Sequence, residues 1–143
     1  MDKHFKSIVV PVDGSEASCR AAAFAAELAQ LADVEVCLLH VFSPLPSEVL
    51  GMVGLDRAQV EAIGRESGGE AFKQARRSME NPVSVVEHVV WGDPREDILV
   101  EADKRDALIV MGRRGLGKVP GLLLGSVSTA VLQTAKRPVT LVN

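Results

Sequence analysis

Tyrosine is absent from the chain and tryptophan occurs once. With so few aromatic side chains to place in loops, a flavodoxin-like domain that stacks a flavin is disfavoured. Cysteine is almost as scarce. Cys19 and Cys37 lie in apolar segments and match no metal or redox spacing, so they read as buried reduced thiols in a reducing compartment. No apolar run approaches the length of a membrane span, and the N-terminal MDKHFKSIVVPVDGS lacks the apolar centre of a secretory leader. The expected location is therefore the cytoplasm, with no membrane contact. Charge of one sign is not in excess either: the net charge is -3 and the pI about 5.6. Such a field favours neither nucleic acid nor an anionic membrane surface, so any anion site must be local.

What is present is an ordinary globular composition, 47% hydrophobic and 24% charged over 143 residues. A chain of that size forms one domain and buries about 70% of its unfolded surface, enough to fold on its own core. The pattern alternates strands with helices. FKSIVVPV, residues 5–12, is a β-branched run that ends at Asp13-Gly14-Ser15, a turn leading into a helix cap. Ala17, Ala21, Phe24, Leu28 and Leu31 then follow at helical spacing, and the small alanines between them let that helix lie close to a sheet. Residues 34–42, VEVCLLHVF, are apolar on both faces over their second half, as in a strand covered on two sides.

The next segment, SPLPSEVLGMVG, has no periodicity, and the charged stretch from about Asp56 to Glu80 reads as an exposed helix weakened by Gly64, Gly68 and Gly69. Residues 83–91 form a third strand, after which Asp93 caps a helix with Pro94 at its first position and Ile98, Leu99 and Ala102 on its apolar face. ALIVM, 107–111, is the fourth strand. Residues 125–136 form the fourth helix, with Val127, Ala130, Val131 and Ala135 inward, and PVTLV, 138–142, is the fifth strand. Alternation of this kind implies an α/β fold, a doubly wound five-stranded parallel sheet with four helices on two faces.

The stretch GRRGLGKVPGLLLGS, residues 112–126, follows the fourth strand and raises the question of phosphate binding. Gly112 to Lys118 fits the opening of a P-loop, but Val119 stands where the metal-binding hydroxyl belongs, and Pro120-Gly121 prevents a helix from starting there. A dinucleotide fingerprint fails as well. Pro120 occupies its third glycine position, and the first strand ends in PVDGS without clustered glycines. The pattern that does fit is Gly112, two residues, Gly115, nine residues, then Gly125-Ser126. Glycines let the backbone reach an anion, and the following helix adds a positive dipole end and unsatisfied N–H donors. Arg113, Arg114 and Lys118 supply charge, while Ser126 and Ser128 supply hydroxyls, Ser126 doubling as the helix cap.

These motifs, together with IVVPVDGS, LLHV, WGDPREDIL and DALIVMGRRG, resemble the universal stress protein family, in its ATP-binding subgroup, nearly from end to end. The resemblance implies strand order 3-2-1-4-5 and an ATP site at the topological switch point. There Asp13 would meet the ribose and the backbones of Pro11 and Val41 would line the adenine. Gly112, Arg113, Arg114, Gly115, Leu116, Gly117, Lys118, Gly125, Ser126, Val127 and Ser128 would lie along the phosphates. It also implies a homodimer through residues 138–142, an edge strand able to pair with a second copy.

Two readings of Asp13 stay open: a ribose contact, or part of the turn into the first helix with Ser15 as the cap. His4, His40 and His88 are scattered and read as structural rather than metal-ligating, and no residue is assigned to a metal. A magnesium or manganese ion would accompany the triphosphate, held mainly by phosphate oxygens and water. Efficient catalysis is not inferred, since no base other than Asp13 is evident; slow ATP hydrolysis or autophosphorylation is the most the residues support. The leading reading is an ATP-binding regulatory protein of the stress-response kind. The alternative is a non-catalytic interaction module of the same fold without a physiological nucleotide. A phosphoacceptor domain is disfavoured because no acidic cluster follows the first strand.

Overall fold

The computed structural model describes residues 4–115 and 123–143. Strands β1 (Ser7–Pro11), β2 (Glu35–Phe42), β3 (Val85–Trp91), β4 (Ala107–Gly112) and β5 (Val139–Val142) alternate with five helices. The helices are α1 (Glu16–Ala32), α2 (Ser47–Val53), α3 (Arg57–Ser78), α4 (Pro94–Arg105) and α5 (Ser126–Thr134). All strand pairs are parallel, in the order β3-β2-β1-β4-β5. The central strand, β1, pairs with β2 from Ser7↔Glu35 to Pro11↔Leu39 and with β4 from Ser7↔Ala107 to Val9↔Ile109.

Each face of the sheet carries its own core because side chains alternate along a strand. On one face Ile8, Val10, Leu38 and Val110 meet Ala21, Ala25, Phe72 and Ala75 of α1 and α3. On the other, Val9, Leu39, Ile109 and Met111 meet Ile98 and Ala102 of α4 and Val131 of α5. Covering on both sides is why β1 and β2 read as unbroken apolar runs. Cys37 belongs to the second core. Burial pushes its thiol up to about 11, with a smaller opposing pull from Arg105, so the thiolate that would react is suppressed at neutral pH.

The structure corrects the sequence reading in several places. A fifth helix, α2, occupies the aperiodic segment. Pro46 stands at its N-cap and Gly54 ends it in the left-handed region at φ 74°, so residues that forbid a long helix delimit a short one. None of the residues of α2 is buried. In α1 the buried stripe is Ala17, Ser18, Ala21, Ala22, Ala25, Ala26 and Ala29. Phe24 and Leu31, expected to face the core, are 41% and 85% exposed. The alanines bring the helix so close to the sheet that the bulky side chains fit only on its flanks.

Helix α3 runs without a break from a capping box in which Asp56 accepts from Gln59 N–H and the Gln59 side chain accepts from Asp56 N–H. Its Gly64 and Gly68 are contact points rather than weaknesses. A Cβ at Gly64 would sit 2.7 Å from Trp91 Nε1, and one at Gly68 would sit 2.8 Å from Val89 Cγ2. Helix α5 is two residues shorter at its C-terminal end than expected, with Ala135 as its C-cap, and begins one residue later, at Ser126.

Candidate functional site

β1 and β4 are neighbours whose following helices pass to opposite faces of the sheet, which opens a crevice at their C-terminal ends. The crevice holds a cavity of about 280 Å³, close to the ~300 Å³ at which small-molecule clefts begin. Pro11, Leu39, Val41, Pro94, Ile98 and Met111 form its apolar side. Asp13, Ser15, Ser18, Arg114, Gly115 and the segment Gly125–Ser128 form its polar side.

The β1 end is held by a chain of local hydrogen bonds. Val12 N–H donates to Leu39 O at 2.8 Å, one residue beyond the last strand pair. Asp13 Oδ1 then accepts from Ser15 N–H at 2.9 Å, an Asx-type turn closed by Gly14 at φ 85°. Ser15 caps α1 by accepting from Ser18 N–H at 3.2 Å, and Ser18 Oγ donates back to Ser15 O at 2.9 Å. The turn reading of Asp13 is thus correct, and the same carboxylate also lines the cavity: its Oδ2 lies against Gly115, where a Cβ would overlap it.

The β4 end is tied across to α5 and β5. Arg113 N–H donates to Val142 O at 3.0 Å, Gly125 N–H donates to Arg113 O at 2.9 Å, and Ser128 Oγ donates to Gly112 O at 3.0 Å. Gly112 packs on α1, where a Cβ would come 2.8 Å from Ala17 Cβ and 2.9 Å from its carbonyl carbon. The N-cap of α5 is Gly125, not Ser126, and among the described residues no side chain caps this helix end. Ser126, expected as the cap, is the first helical residue. Its extended predecessor carries no side chain, so the start of α5, which lines the crevice, lacks the acceptor that Ser15 supplies to α1. The dipole of the helix adds partial positive charge there, beside Arg114.

Of the residues singled out from the sequence, Pro11, Asp13, Val41, Gly112, Arg114, Gly115, Gly125, Ser126, Val127 and Ser128 line this one cavity. Arg113 does not line it; its backbone serves as the tie between β5 and Gly125. Leu116, Gly117 and Lys118 lie outside the described residues. Sequence reasoning missed the cavity-lining roles of Leu39, Met111, Pro94 and Ile98. Strand alternation carried to Leu39 from Val41, and helical spacing carried from Pro94 to Ile98, would have found two of them. Among the described residues no group of three His, Cys, Asp or Glu is placed to hold a metal ion, and no helix is long and apolar enough to cross a membrane.

Comparison with known proteins agrees with this architecture. A universal stress protein of Methanocaldococcus jannaschii is 35% identical over 140 residues, spanning 96% of this chain and 82% of the relative. The structure of a universal stress protein from Archaeoglobus fulgidus in complex with dAMP aligns with a TM-score of 0.69 at 27% identity, covering 99% of this chain and 100% of that one. A universal stress protein in complex with cAMP aligns with a TM-score of 0.66 at 28% identity, covering 97% of each chain. The model of the universal stress protein family matches residues 4–143, and the chain belongs to that family.

Proposed function

We propose that this protein binds ATP in the crevice between β1 and β4 and acts as a regulatory protein of the stress-response kind. In this reading nucleotide occupancy alters its conformation, its dimerisation or its choice of partner. The observation that carries it is the union, in one cavity, of an apolar slot and an uncapped helix N-terminus. A flat base buries well between Pro11, Val41 and Ile98, and a phosphate chain suits the first-turn donors of α5, which have no cap side chain among the described residues, with Arg114 alongside. Asp13, the single carboxylate on the described wall, would meet the ribose. The dAMP and cAMP complexes of relatives support an adenine nucleotide as the ligand class.

A divalent ion would be held by the phosphates themselves, since the described wall offers one carboxylate and no histidine. Efficient hydrolysis is not part of the reading: Asp13 is the one carboxylate on the described wall, and its Oδ1 is engaged in the turn with Ser15 N–H rather than placed on a water. Calorimetric titration with ATP, with and without magnesium, tests the proposal. Saturable binding at micromolar concentration supports it, and no heat in either condition favours the interaction-module alternative.

The same reading includes a homodimer through residues 138–142. β5 is an edge strand in the described sheet, and Pro138 O and Val142 O turn inward to β4. The alternate backbone groups at Val139 and Leu141 therefore face out, free to pair with a second copy. Sedimentation equilibrium at micromolar concentration should give twice the 15.3 kDa chain mass; a monomer mass would overturn this pairing.

A further inference from the structure

His40 is a conspicuous intrusion in β2. Cys37, Leu38 and Leu39 before it are fully buried and apolar, whereas His40 brings an imidazole into the same strand at 6% exposure. A buried ring of this kind is tolerated when both nitrogens have partners, and both do. Nδ1 lies 2.7 Å from Val12 O and Nε2 lies 3.1 Å from Ser67 Oγ of α3. A carbonyl oxygen cannot donate, so Nδ1 carries a proton and donates to Val12 O, while Nε2 pairs with the Ser67 hydroxyl. Gly68 lets α3 approach: a Cβ there would come 3.3 Å from His40 Cδ2. Phe72 holds the ring edge-on, with centroids 6.4 Å apart at 82°.

The acceptor of this hydrogen bond is what gives it functional weight. Val12 lies one residue past the last β1–β2 pair, Pro11↔Leu39, where its buried carbonyl has left the ladder. That carbonyl and the Asp13 N–H belong to one planar peptide unit. Its oxygen is held by His40 Nδ1 at 2.7 Å, and its N–H donates to Ser18 Oγ at 3.4 Å. A plane pinned at both edges places the next Cα and leaves one backbone rotation to set the direction of its side chain. For Asp13 that direction leads to the cavity, with Oδ1 on Ser15 N–H and Oδ2 against Gly115.

The geometry points to His40 as a positioning residue of the nucleotide site: from the opposite face of the sheet it fixes the Val12–Asp13 peptide and so aims the Asp13 carboxylate at the ribose, with Ser67 of α3 setting the ring. The role rests on the ATP reading above. It assigns α3, which contributes nothing to the cavity wall, a part in ligand recognition.

The test uses the contrast between two amide replacements. His40→Asn puts an N–H donor near the Nδ1 position, and His40→Gln puts one near Nε2. Calorimetry with ATP and with a dideoxy-ATP lacking both ribose hydroxyls then separates ribose recognition from general packing. His40→Gln is expected to lose about tenfold in ATP affinity while dideoxy-ATP changes less than about twofold, and His40→Asn is expected to keep the preference for ATP. Equal losses for the two nucleotides, or identical behaviour of the two variants, would overturn the role. Nitrogen NMR of the unmodified protein gives a readout that does not depend on how the variants fold: the ring should be in the Nδ1–H tautomer, and an Nε2–H tautomer with bare Nδ1 overturns the positioning role alone. Failure of the unmodified protein to bind ATP overturns the nucleotide reading, and this role with it.

Discussion

The two walls of the crevice are made in opposite ways. On the β1 side the helix that follows is capped by a serine, the turn is closed by an aspartate, and the last peptide is held at both edges. On the β4 side the helix that follows begins at a glycine with no side-chain cap. The first wall satisfies its own backbone and is a shaped surface. The second is anchored further back, through Arg113 and Ser128, and its helix start has no cap side chain among the described residues. One end of the sheet thus combines a finished surface with an unfinished one, and the proposed phosphate contacts fall on the unfinished one.

Substitutions can break that contrast in order of effect. Gly112→Val should be the most damaging, because the new side chain meets Ala17 backbone as well as its Cβ. A loss of about 3 kcal/mol is expected from overpacking, read as a lower urea midpoint; an unchanged midpoint would show that β4 and α1 separate easily. Gly115→Ala should leave folding nearly intact, since it strikes a side-chain atom, Asp13 Oδ2, and no backbone, yet weaken ATP binding about tenfold by turning that carboxylate aside. Tight binding by the folded variant would remove Asp13 from the ribose contact.

Ser15→Ala strips the finished wall of its cap and should cost about 1 kcal/mol of stability, measured by thermal or urea unfolding. Ser126→Ala, one residue past the N-cap on the unfinished wall, should shift stability by less than about 0.5 kcal/mol because Ser126 caps nothing. A stability loss equal to that of Ser15→Ala would mean that the two helix starts are alike after all.

Much of this was legible along the chain. Ser15 as a cap, Asp93-Pro94 as a helix start and the strand ends around Asp13 and Gly112 are local features, governed by residues within one turn of each other. Spacing between Gly112, Gly115 and Gly125 marked the β4 wall without any knowledge of its partner. Misreadings arose where a residue answers to something distant in sequence. Gly64 and Gly68 look like helix weaknesses until Trp91, Phe42, Val89 and His40 are set against them. Phe24 and Leu31 fit a helical stripe, yet the neighbouring alanines took the buried face.

The sequence by itself determined the succession of elements, because hydrophobic period, caps and turn residues act over a few positions. It also marked the glycines and hydroxyls from which a site could be assembled. Only the tertiary structure decided that Asp13, Gly115 and the start of α5 share one cavity, and that His40 reaches Val12 across 28 positions of sequence. Those relations depend on which strands lie side by side and how closely a helix approaches them. Such distances are set by the packing of whole faces, which no local pattern encodes.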